Sequence, residues 1–252
     1  MQTSILNIVL KAGQAIMEVY KSADFGVEMK SDNSPLTKAD RAAHEIIMEG
    51  LKETGYPVLS EEGAKIPYDE RKQWERFWLV DPLDGTKEFI NKNGEFTVNI
   101  ALIEQGKPIY GLVYVPVKEV LYYGGINEGA FRRTYSGAQY REEKIQTQKP
   151  REKLVVVASR SHLNQETRDF IKEASRDFNE VIFTQKGSSL KLVEVAEGKA
   201  HLYPRLAPTM EWDTAAAHAI VLAAGGSVNK LDGTPLVYNK EDLLNPWFVV
   251  RN

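Results

Sequence analysis

Hydrophobic residues recur every three to four positions at the start of the chain, which is the period of an amphipathic helix. This stripe predicts a first helix over residues 3–20 and consists of Ile5, Ile8, Val9, Ala12, Ile16 and Val19. A second helix is predicted over residues 37–53, with Gly55 as its C-cap. Its buried stripe is expected to be Ala43, Ile46, Ile47 and Leu51. The first segment has no basic leader, and polar residues interrupt its apolar face, so we expect mature structure and not a targeting peptide.

Short apolar runs at residues 58–60 and 77–80 predict strands, and each run ends in carboxylates. A meander follows, with strands over residues 97–103, 109–115 and 120–123. The polar segment 135–153 is interpreted as a boundary between two units.

Beyond that boundary, residues 154–158 form a continuous apolar run that is typical of a buried strand. Helices near residues 165–174, 188–197 and 214–224 alternate with strands over 181–183 and 201–203. The first half therefore indicates an α+β arrangement and the second half an α/β arrangement. We predict an N-terminal unit over residues 1–150 and a C-terminal unit over residues 151–252.

The composition narrows the possible chemistry. The chain has no cysteine, which excludes disulfides, thiolate metal sites and thiol nucleophiles, and which fits a reducing cytosol. No apolar run approaches the roughly 20 residues of a membrane helix. The net charge of −3 provides no broad basic surface for nucleic acid, so an anionic substrate would need local positive charge. A bound cation is one way to supply that charge.

Carboxylates cluster in three short segments at the ends of predicted elements. They are Glu61-Glu62, the run from Asp81 to Thr86, and Asp213. Alone, these segments have ordinary interpretations: a solvated strand end, a turn with an aspartate cap, and a helix N-terminal acid. One metal cluster would account for all three.

The run from Asp81 to Thr86 carries the most information. Asp81 lies at the carboxyl end of a strand, where open α/β sheets bind ligands. Pro82 is expected to end the ladder and to turn the chain, which brings Asp84 beside Asp81 with the Leu83 carbonyl directed to the same space. Such hard oxygen ligands suit Mg²⁺ and not zinc. Gly85 permits close backbone approach, and Thr86 can begin a helix whose free N–H groups attract a phosphate.

Asp40 has two interpretations. Thr37 with Asp40 three residues later resembles a capping box, with Asp in place of Glu. The functional alternative makes Asp40 a base that acts on a water through the Thr86 hydroxyl.

Two motifs resemble the inositol monophosphatase superfamily of lithium-sensitive metal phosphatases: Asp81-Pro82-Leu83-Asp84-Gly85-Thr86 and Trp212-Asp213-Thr214-Ala215-Ala216. More narrowly, the chain resembles the bacterial CysQ-type 3′(2′),5′-bisphosphate nucleotidases. The narrowing segments are residues 87–90, 94–100, 159–162, 187–191 and 202–205. The resemblance extends from the first helix to Asn245-Pro246.

This resemblance implies a layered αβαβα sandwich of the inositol monophosphatase and fructose-1,6-bisphosphatase type. It implies hydrolysis of adenosine 3′,5′-bisphosphate (PAP) to AMP and phosphate, with its 5′-phosphosulfate relative PAPS as a second substrate, in sulfur assimilation. It also implies a cytoplasmic enzyme, with the cytoplasmic face of the inner membrane as an alternative location, that exists as a monomer or homodimer.

The resemblance also assigns residues. About two to three Mg²⁺ ions would be held by Glu61, Asp81, the Leu83 carbonyl, Asp84 and Asp213. Asp40 and Thr86 would orient the attacking water with Glu61, and Gly85 and Thr86 would cradle the scissile phosphate. The nucleotide contacts would be His162, Ser188, Lys191 and Arg205. Ordinary alternatives are a helix-entry role for His162, a solvated Lys191, an Arg205 paired with a surface acid, and a packing role for Trp212.

Three rival functions remain open at this point. Another sugar-phosphate phosphatase of the superfamily is disfavoured by Lys87-Glu88-Phe89 and by the Lys191 and Arg205 pair, since an inositol phosphate has no second phosphate. A silent sensor of phosphonucleotides has no need of Asp40 and Thr86 together. A nuclease for short oligonucleotides lacks a basic or aromatic stripe along which a strand would bind.

Overall fold

A computed structural model describes residues 2–22, 24–30, 34–63, 65–158 and 164–252. Within these residues the α-helices are α1 (Gln2–Lys21), α2 (Lys38–Leu51), α3 (Tyr68–Arg71), α4 (Thr86–Ile90), α5 (Gln165–Ala174), α6 (Leu190–Ala196) and α7 (Glu211–Ala223). Short 3₁₀ turns cover Lys52–Thr54 and Pro116–Lys118. Each of these helices is too short or too polar to cross a bilayer.

The strands form a small hairpin and two larger sheets. The hairpin pairs β1 (Glu28–Met29) with β2 (Pro35–Leu36). The first sheet contains β3 (Val58–Ser60), β4 (Arg76–Asp84), β5 (Thr97–Glu104), β6 (Lys107–Val115), β7 (Val120–Gly125), β8 (Gly129–Ser136) and β9 (Gln139–Ile145). The second contains β10 (Lys153–Ala158), β11 (Glu180–Gln185), β12 (Leu202–Arg205), β13 (Ser227–Lys230) and β14 (Phe248–Arg251).

The first sheet follows the chain order from β3 to β9, with β3 parallel to β4 and every later pair antiparallel. The second sheet has the order β11-β10-β12-β14-β13. In it β10 runs parallel to β11 and β12, whereas β14 runs antiparallel to β12 and β13.

The two sheets and the helices stack in five layers. Helices α1 and α2 cover the outer face of the first sheet. Helices α6 and α7 lie between the sheets, and α5 covers the outer face of the second sheet. Successive residues of β4 alternate between two cores, since Phe77 and Leu79 face the middle layer whereas Trp78 and Val80 face α1 and α2. This double burial explains the continuous apolar run, and the layered αβαβα sandwich is confirmed.

The long helices and the meander are confirmed within a few residues. The interpretation of residues 135–153 as a polar boundary is wrong over residues 135–145, because β8 and β9 extend the first sheet to Ile145. Strand β9 is the edge of that sheet, and most of its side chains are exposed, so it lacks the apolar alternation of a covered strand. The purely α/β interpretation of the second half is also incomplete, since the unpredicted β13 and β14 make that sheet mixed.

The predicted division at residue 150 falls in the connection between β9 and β10, and therefore between the two sheets. One hydrophobic cluster nevertheless spans both units, because α7 from the second unit packs against β5 and β6 of the first. The two-unit organisation stays a prediction for a chain whose halves share their central core.

Candidate active site

Asp81 and Asp84 lie on β4 on either side of a bulge. Asp81 pairs with Asn99 and Asp84 pairs with Thr97, so β4 uses one more residue than β5 over this stretch. The expectation that Pro82 ends the ladder is wrong: the missing N–H of Pro82 is accommodated in the bulge and pairing resumes at Asp84. The bulge brings the Leu83 carbonyl to 3.4 Å from the Thr86 hydroxyl. Asp81, Leu83 and Asp84 therefore remain within β4, with the Leu83 carbonyl beside the helix that Thr86 begins.

Two other elements bring carboxylates to Asp81. Glu61 follows β3, which is parallel to β4, and its amide donates to the Val80 carbonyl at 3.1 Å. Asp213 lies in the first turn of α7. One oxygen from each of Glu61, Asp81 and Asp213 lies within 4.8 Å of the others. Three carboxylate oxygens at this spacing form a donor set that fits a hard divalent cation.

The burial of these acids has a large electrostatic cost in the metal-free protein. Burial raises the pKa of Asp81 well above its usual value, and the charges of Glu61, Asp84 and Asp213 raise it further. Burial likewise raises the pKa of Asp213 to about 8, with Asp84 and Glu61 adding to the effect. Burial raises the pKa of Asp84 to about 6, although Lys191 and the Ser189 amide oppose that rise. A bound cation would remove this penalty.

Lys30 already contributes a positive charge beside the cluster. Its ammonium donates to Glu61 Oε1 at 2.8 Å and also to Glu62. Lys30 has no local signature in the sequence, because its contact with Glu61 joins two segments that lie 31 residues apart.

The geometry of Asp40 is compatible with both of its interpretations, one for each oxygen. Its Oδ2 accepts from the Thr37 amide at 2.7 Å and from the Thr37 hydroxyl at 2.5 Å, as in a helix cap. Its Oδ1 accepts from the Thr86 hydroxyl at 3.3 Å. Burial raises the pKa of Asp40, and the bonds from Thr37 offset part of that rise. The cap therefore holds the carboxylate where it can act on Thr86.

Asp213 also combines capping with the site. Its Oδ2 accepts from the amide of Met210, the N-cap residue of α7, at 2.9 Å. The neighbouring Trp212 packs partly buried against the central core, which confirms its expected packing role.

A cavity of about 310 Å³ opens beside the acidic cluster. Its walls include Asp84, Gly85 and Asp213, together with the predicted nucleotide contacts Ser188, Lys191 and Arg205. His162 lies outside the described residues. Lys87 and Glu88, which the sequence analysis associated with a second phosphate, also line the cavity. Further lining residues without a predicted role are Asn91, Lys186, Gly187, Leu192, Tyr203, Thr209 and Thr214. The sequence could have indicated these residues, because they lie within or next to the motifs that carried the family resemblance.

The cationic side of this cavity combines the buried Lys191 with the partly exposed Lys186 and Arg205. Lys191 is only 7% exposed, so its interpretation as a solvated lysine is wrong. Its ammonium donates to the Ser188 carbonyl at 2.6 Å and to the Lys186 carbonyl at 3.4 Å, and burial lowers its pKa to about 8. Arg205 donates to the Pro208 carbonyl at 2.7 Å.

Two buried polar atoms of this wall have no hydrogen-bond partner among the described residues. They are the Ser188 hydroxyl oxygen and Arg205 Nε. Ser188 also has a φ of 44°, a conformation that non-glycine residues rarely adopt. Buried polar atoms are rarely left without a partner in folded proteins, so these two are available to a ligand or an ordered water.

Comparison with known proteins agrees with this geometry. A sequence profile of the inositol monophosphatase family matches residues 2–247. The 3′(2′),5′-bisphosphate nucleotidase CysQ of Escherichia coli K12 is 48% identical over 99% of this chain and 99% of its own length.

Solved structures agree as well. The crystal structure of CysQ from Bacteroides thetaiotaomicron, described as a bacterial member of the inositol monophosphatase family, superposes with a TM-score of 0.89 at 48% identity. That superposition covers 99% of this chain and 96% of the other. SaIMPase-II with bound 2′-AMP superposes with a TM-score of 0.75 at 25% identity, over 100% of this chain and 88% of the other.

Proposed function

This chain belongs to the inositol monophosphatase family, and we propose that it is a 3′(2′),5′-bisphosphate nucleotidase that hydrolyses PAP to AMP and phosphate, and also acts on PAPS. The observation that carries this proposal is the all-oxygen cluster of Glu61, Asp81 and Asp213, of which Asp213 lines one cavity together with Lys186, Lys191 and Arg205. A bisphosphate has two groups to bind, and the cavity offers two chemically distinct sets of ligands. The full-length similarity to CysQ of E. coli supports the same substrate and a role in PAP recycling during sulfur assimilation.

We propose Mg²⁺ as the cofactor, with about two to three ions held by Glu61, Asp81, the Leu83 carbonyl, Asp84 and Asp213. The donor set contains only oxygen, which Mg²⁺ prefers and Zn²⁺ does not. When bound, Mg²⁺ would neutralise phosphate charge and lower the pKa of the attacking water.

The chain's own groups position the reactants. Asp40 accepts from the Thr86 hydroxyl, which leaves the Thr86 oxygen free to accept from a water and to orient that water toward phosphorus. Glycine is favoured at position 85, since its φ is 94° and a Cβ there would lie 3.3 Å from the Glu95 carbonyl oxygen, and a residue without a side chain would let the scissile phosphate approach the backbone. Phosphoryl transfer relies on such positioning and charge neutralisation, so no nucleophilic side chain is needed.

The remote 5′-phosphate would bind at the cationic wall of the cavity. Arg205 and Lys191 supply charge there, and the Ser188 hydroxyl supplies a further polar group without a partner among the described residues. SaIMPase-II, which has the same fold, binds both 2′-AMP and inositol monophosphate, so the proposed bisphosphate preference rests on the cationic wall. An inositol monophosphate would leave the cationic wall without a partner.

The test is phosphate release from PAP, PAPS, adenosine 3′-monophosphate, inositol 1-phosphate and fructose 1,6-bisphosphate under equal conditions. We expect the highest kcat/KM for a bisphosphonucleotide, complete loss in EDTA, recovery with Mg²⁺, and inhibition by Li⁺ and Ca²⁺. Ca²⁺ is expected to inhibit because it prefers longer and less regular coordination than an in-line reaction tolerates. A higher kcat/KM for inositol 1-phosphate would contradict the substrate, and full activity in EDTA would contradict the metal.

A further inference from the structure

Residues 94–100 and 187–191 both carried the resemblance to the CysQ-type nucleotidases. Most of these residues have no role in the reaction described above, and in the structure the two segments are in contact. The loop 186–189 connects β11 to α6, and it docks on the beginning of β5 in the other sheet. The Gly187 amide donates to Glu95 Oε2 at 2.8 Å. A Cβ on Gly187 would lie 3.0 Å from the Glu95 carbonyl oxygen, so this contact is close enough to favour glycine.

Three buried polar side chains meet where the loop docks. Thr97, Asn99 and Ser189 are each at most 2% exposed. The Ser189 hydroxyl donates to Asn99 Oδ1 at 3.0 Å and lies 2.9 Å from the Thr97 hydroxyl. Because Ser189 has a single hydroxyl proton, Thr97 is the donor in the second bond. The three side chains thus form a chain of hydrogen bonds from β5 to the loop.

This network ends on Asp84. Its Oδ2 accepts from the Ser189 amide at 2.6 Å and from Asn99 Nδ2 at 3.4 Å. A carboxylate only accepts hydrogen bonds, so it also fixes which way the Asn99 amide points. No donor among the described residues is bonded to Oδ1, which makes Oδ1 the oxygen that a cation can use.

We propose that Asn99 and Ser189 are positioning residues that bind Oδ2 of Asp84 and thereby present Oδ1 to the metal, and that Thr97 supports them through its hydrogen bond to the Ser189 hydroxyl. This inference rests on the proposed metal dependence. In this arrangement the orientation of Asp84, which lies on the first sheet, depends on the loop 186–189 of the second sheet. Residues that orient a metal ligand typically change metal affinity by about 10- to 100-fold when they are removed.

The experiment measures Mg²⁺ binding to the metal-free protein by calorimetry, without substrate. Asn99→Leu removes the amide at similar volume, and we expect Mg²⁺ to bind about 10- to 100-fold more weakly. Thr97→Val should weaken binding by a smaller factor, whereas Thr97→Ser keeps the hydroxyl and should bind Mg²⁺ like the wild type. Thr184→Val is the matched control, because the Thr184 hydroxyl is buried without a partner among the described residues and lies outside the site.

Steady-state kinetics provide a second readout. The half-saturating Mg²⁺ concentration should rise in Asn99→Leu, while KM for substrate at saturating Mg²⁺ stays near the wild-type value. If Asn99→Leu does not fold, as judged by thermal unfolding, the Thr97→Val and Thr97→Ser pair decides the question.

The outcomes separate this inference from the proposed function. Equal Mg²⁺ affinity in the wild type and in the folded Asn99→Leu or Thr97→Val variant would overturn the positioning role and leave the proposed function standing. Absence of Mg²⁺ binding by the wild type would overturn the proposed cofactor and this inference with it. Mg²⁺ binding with the expected losses, but no hydrolysis of PAP, would support the inference and contradict the substrate.

Discussion

At the scale of single residues, the acids of the site divide their two oxygens between two tasks. Asp40 caps α2 with Oδ2 and accepts a hydrogen bond from the Thr86 hydroxyl with Oδ1. Asp213 caps α7 with Oδ2. Asp84 uses Oδ2 for the Ser189 amide. A helix cap or a loop contact fixes the carboxylate, so the structural and catalytic interpretations of these residues are compatible.

Asp84→Asn tests the cost of assembling these acids. Burial holds the pKa of Asp84 at about 6, above the usual 3.8, so its ionised form destabilises the metal-free fold as pH rises through that range. We expect the melting temperature of the variant in EDTA to equal or exceed the wild-type value at pH 8, with less difference at pH 4. Turnover should be abolished and Mg²⁺ binding weakened. Wild-type turnover by the variant would refute the role of Asp84.

Arg205→Ala tests the remote phosphate site. A lost charge-assisted hydrogen bond costs roughly 1.5–3 kcal/mol, so kcat/KM for PAP should fall about 10- to 100-fold. Adenosine 3′-monophosphate has no 5′-phosphate, and its hydrolysis should be nearly unchanged. Arg141→Ala, at a side chain that is 86% exposed, is the control. Equal losses on both substrates would mean that Arg205 serves the fold or the reacting phosphate.

Lys191→Ala removes both a positive charge from the cavity and a hydrogen bond that supports the loop at Ser188. Its ammonium also holds the Ser188 carbonyl, so we expect PAP hydrolysis to lose more than monophosphate hydrolysis, but both to lose some activity. Lys191 therefore tests the bisphosphate preference less cleanly than Arg205 does.

At the scale of elements, packing on both sides constrains α7, because this helix lies between the two sheets. Every residue from Thr214 to Val221 is buried, and four of these eight are alanine. Small side chains let the helix approach β6 closely, and that approach places Asp213 at the acidic cluster.

Gly111→Ala tests this close approach. A Cβ on Gly111 would lie 2.1 Å from the Ala216 carbonyl oxygen, and backbone atoms cannot rotate away. We expect a stability loss of about 1–3 kcal/mol or more in denaturant unfolding. Gly50→Ala is the comparison, because there the three atoms nearest to the new Cβ, at 2.5 to 3.2 Å, all belong to the Ile8 side chain, which can shift, while the exchange contributes about 1 kcal/mol of helix propensity. A Gly111→Ala protein as stable as the wild type would show that α7 can move outward.

The buried His218 of α7 predicts a pH dependence. Its Nδ1 lies 2.8 Å from the Tyr238 hydroxyl, and burial lowers its pKa from 6.5 to about 3. The folded state therefore resists protonation, so the stability that His218 contributes is complete above pH 6.5 and declines as pH falls toward 3. As the pH is lowered from 6.5 to 4, the free energy of unfolding measured by chemical denaturation should decrease less for His218→Gln than for the wild type. Parallel pH profiles would contradict this assignment.

At the scale of the whole molecule, the two sheets depend on one shared layer. The inner face of the first sheet presents Leu79, Val113 and Tyr122 to helices that come from the second half of the chain. The acidic cluster has the same composite origin, since Asp81 comes from the first half and Asp213 from the second. Fold and site are therefore completed together.

A fragment of residues 1–150 tests this dependence. Without α6 and α7 the inner face of its sheet would be exposed to water, so we expect no cooperative unfolding transition and marked aggregation. The matched sample is the full chain under the same buffer, which should unfold in one transition. A fragment that unfolds cooperatively as a monomer would instead support an N-terminal unit that folds independently.

The sequence alone determined the features that depend on neighbouring residues. The apolar periods of α1 and α2, the turn residues of the meander, and the Thr37–Asp40 cap are local signals, and each appears where predicted. The motif from Asp81 to Thr86 likewise carried its oxygen ligands in a single run, and the family resemblance then supplied the layered architecture.

Only the tertiary structure decided what depends on pairing between distant segments. The ladder continues past Pro82 because β5 accommodates a bulge, and β9 is a strand because β8 pairs with it, although its exposed edge position gives it no apolar alternation. Lys30 reaches Glu61, and Ser189 reaches Asp84, across contacts with no local signature. Hydrophobic periodicity records which face of an element is buried, but it does not record which polar atoms meet at the element's ends, and in this chain the site is built at those ends.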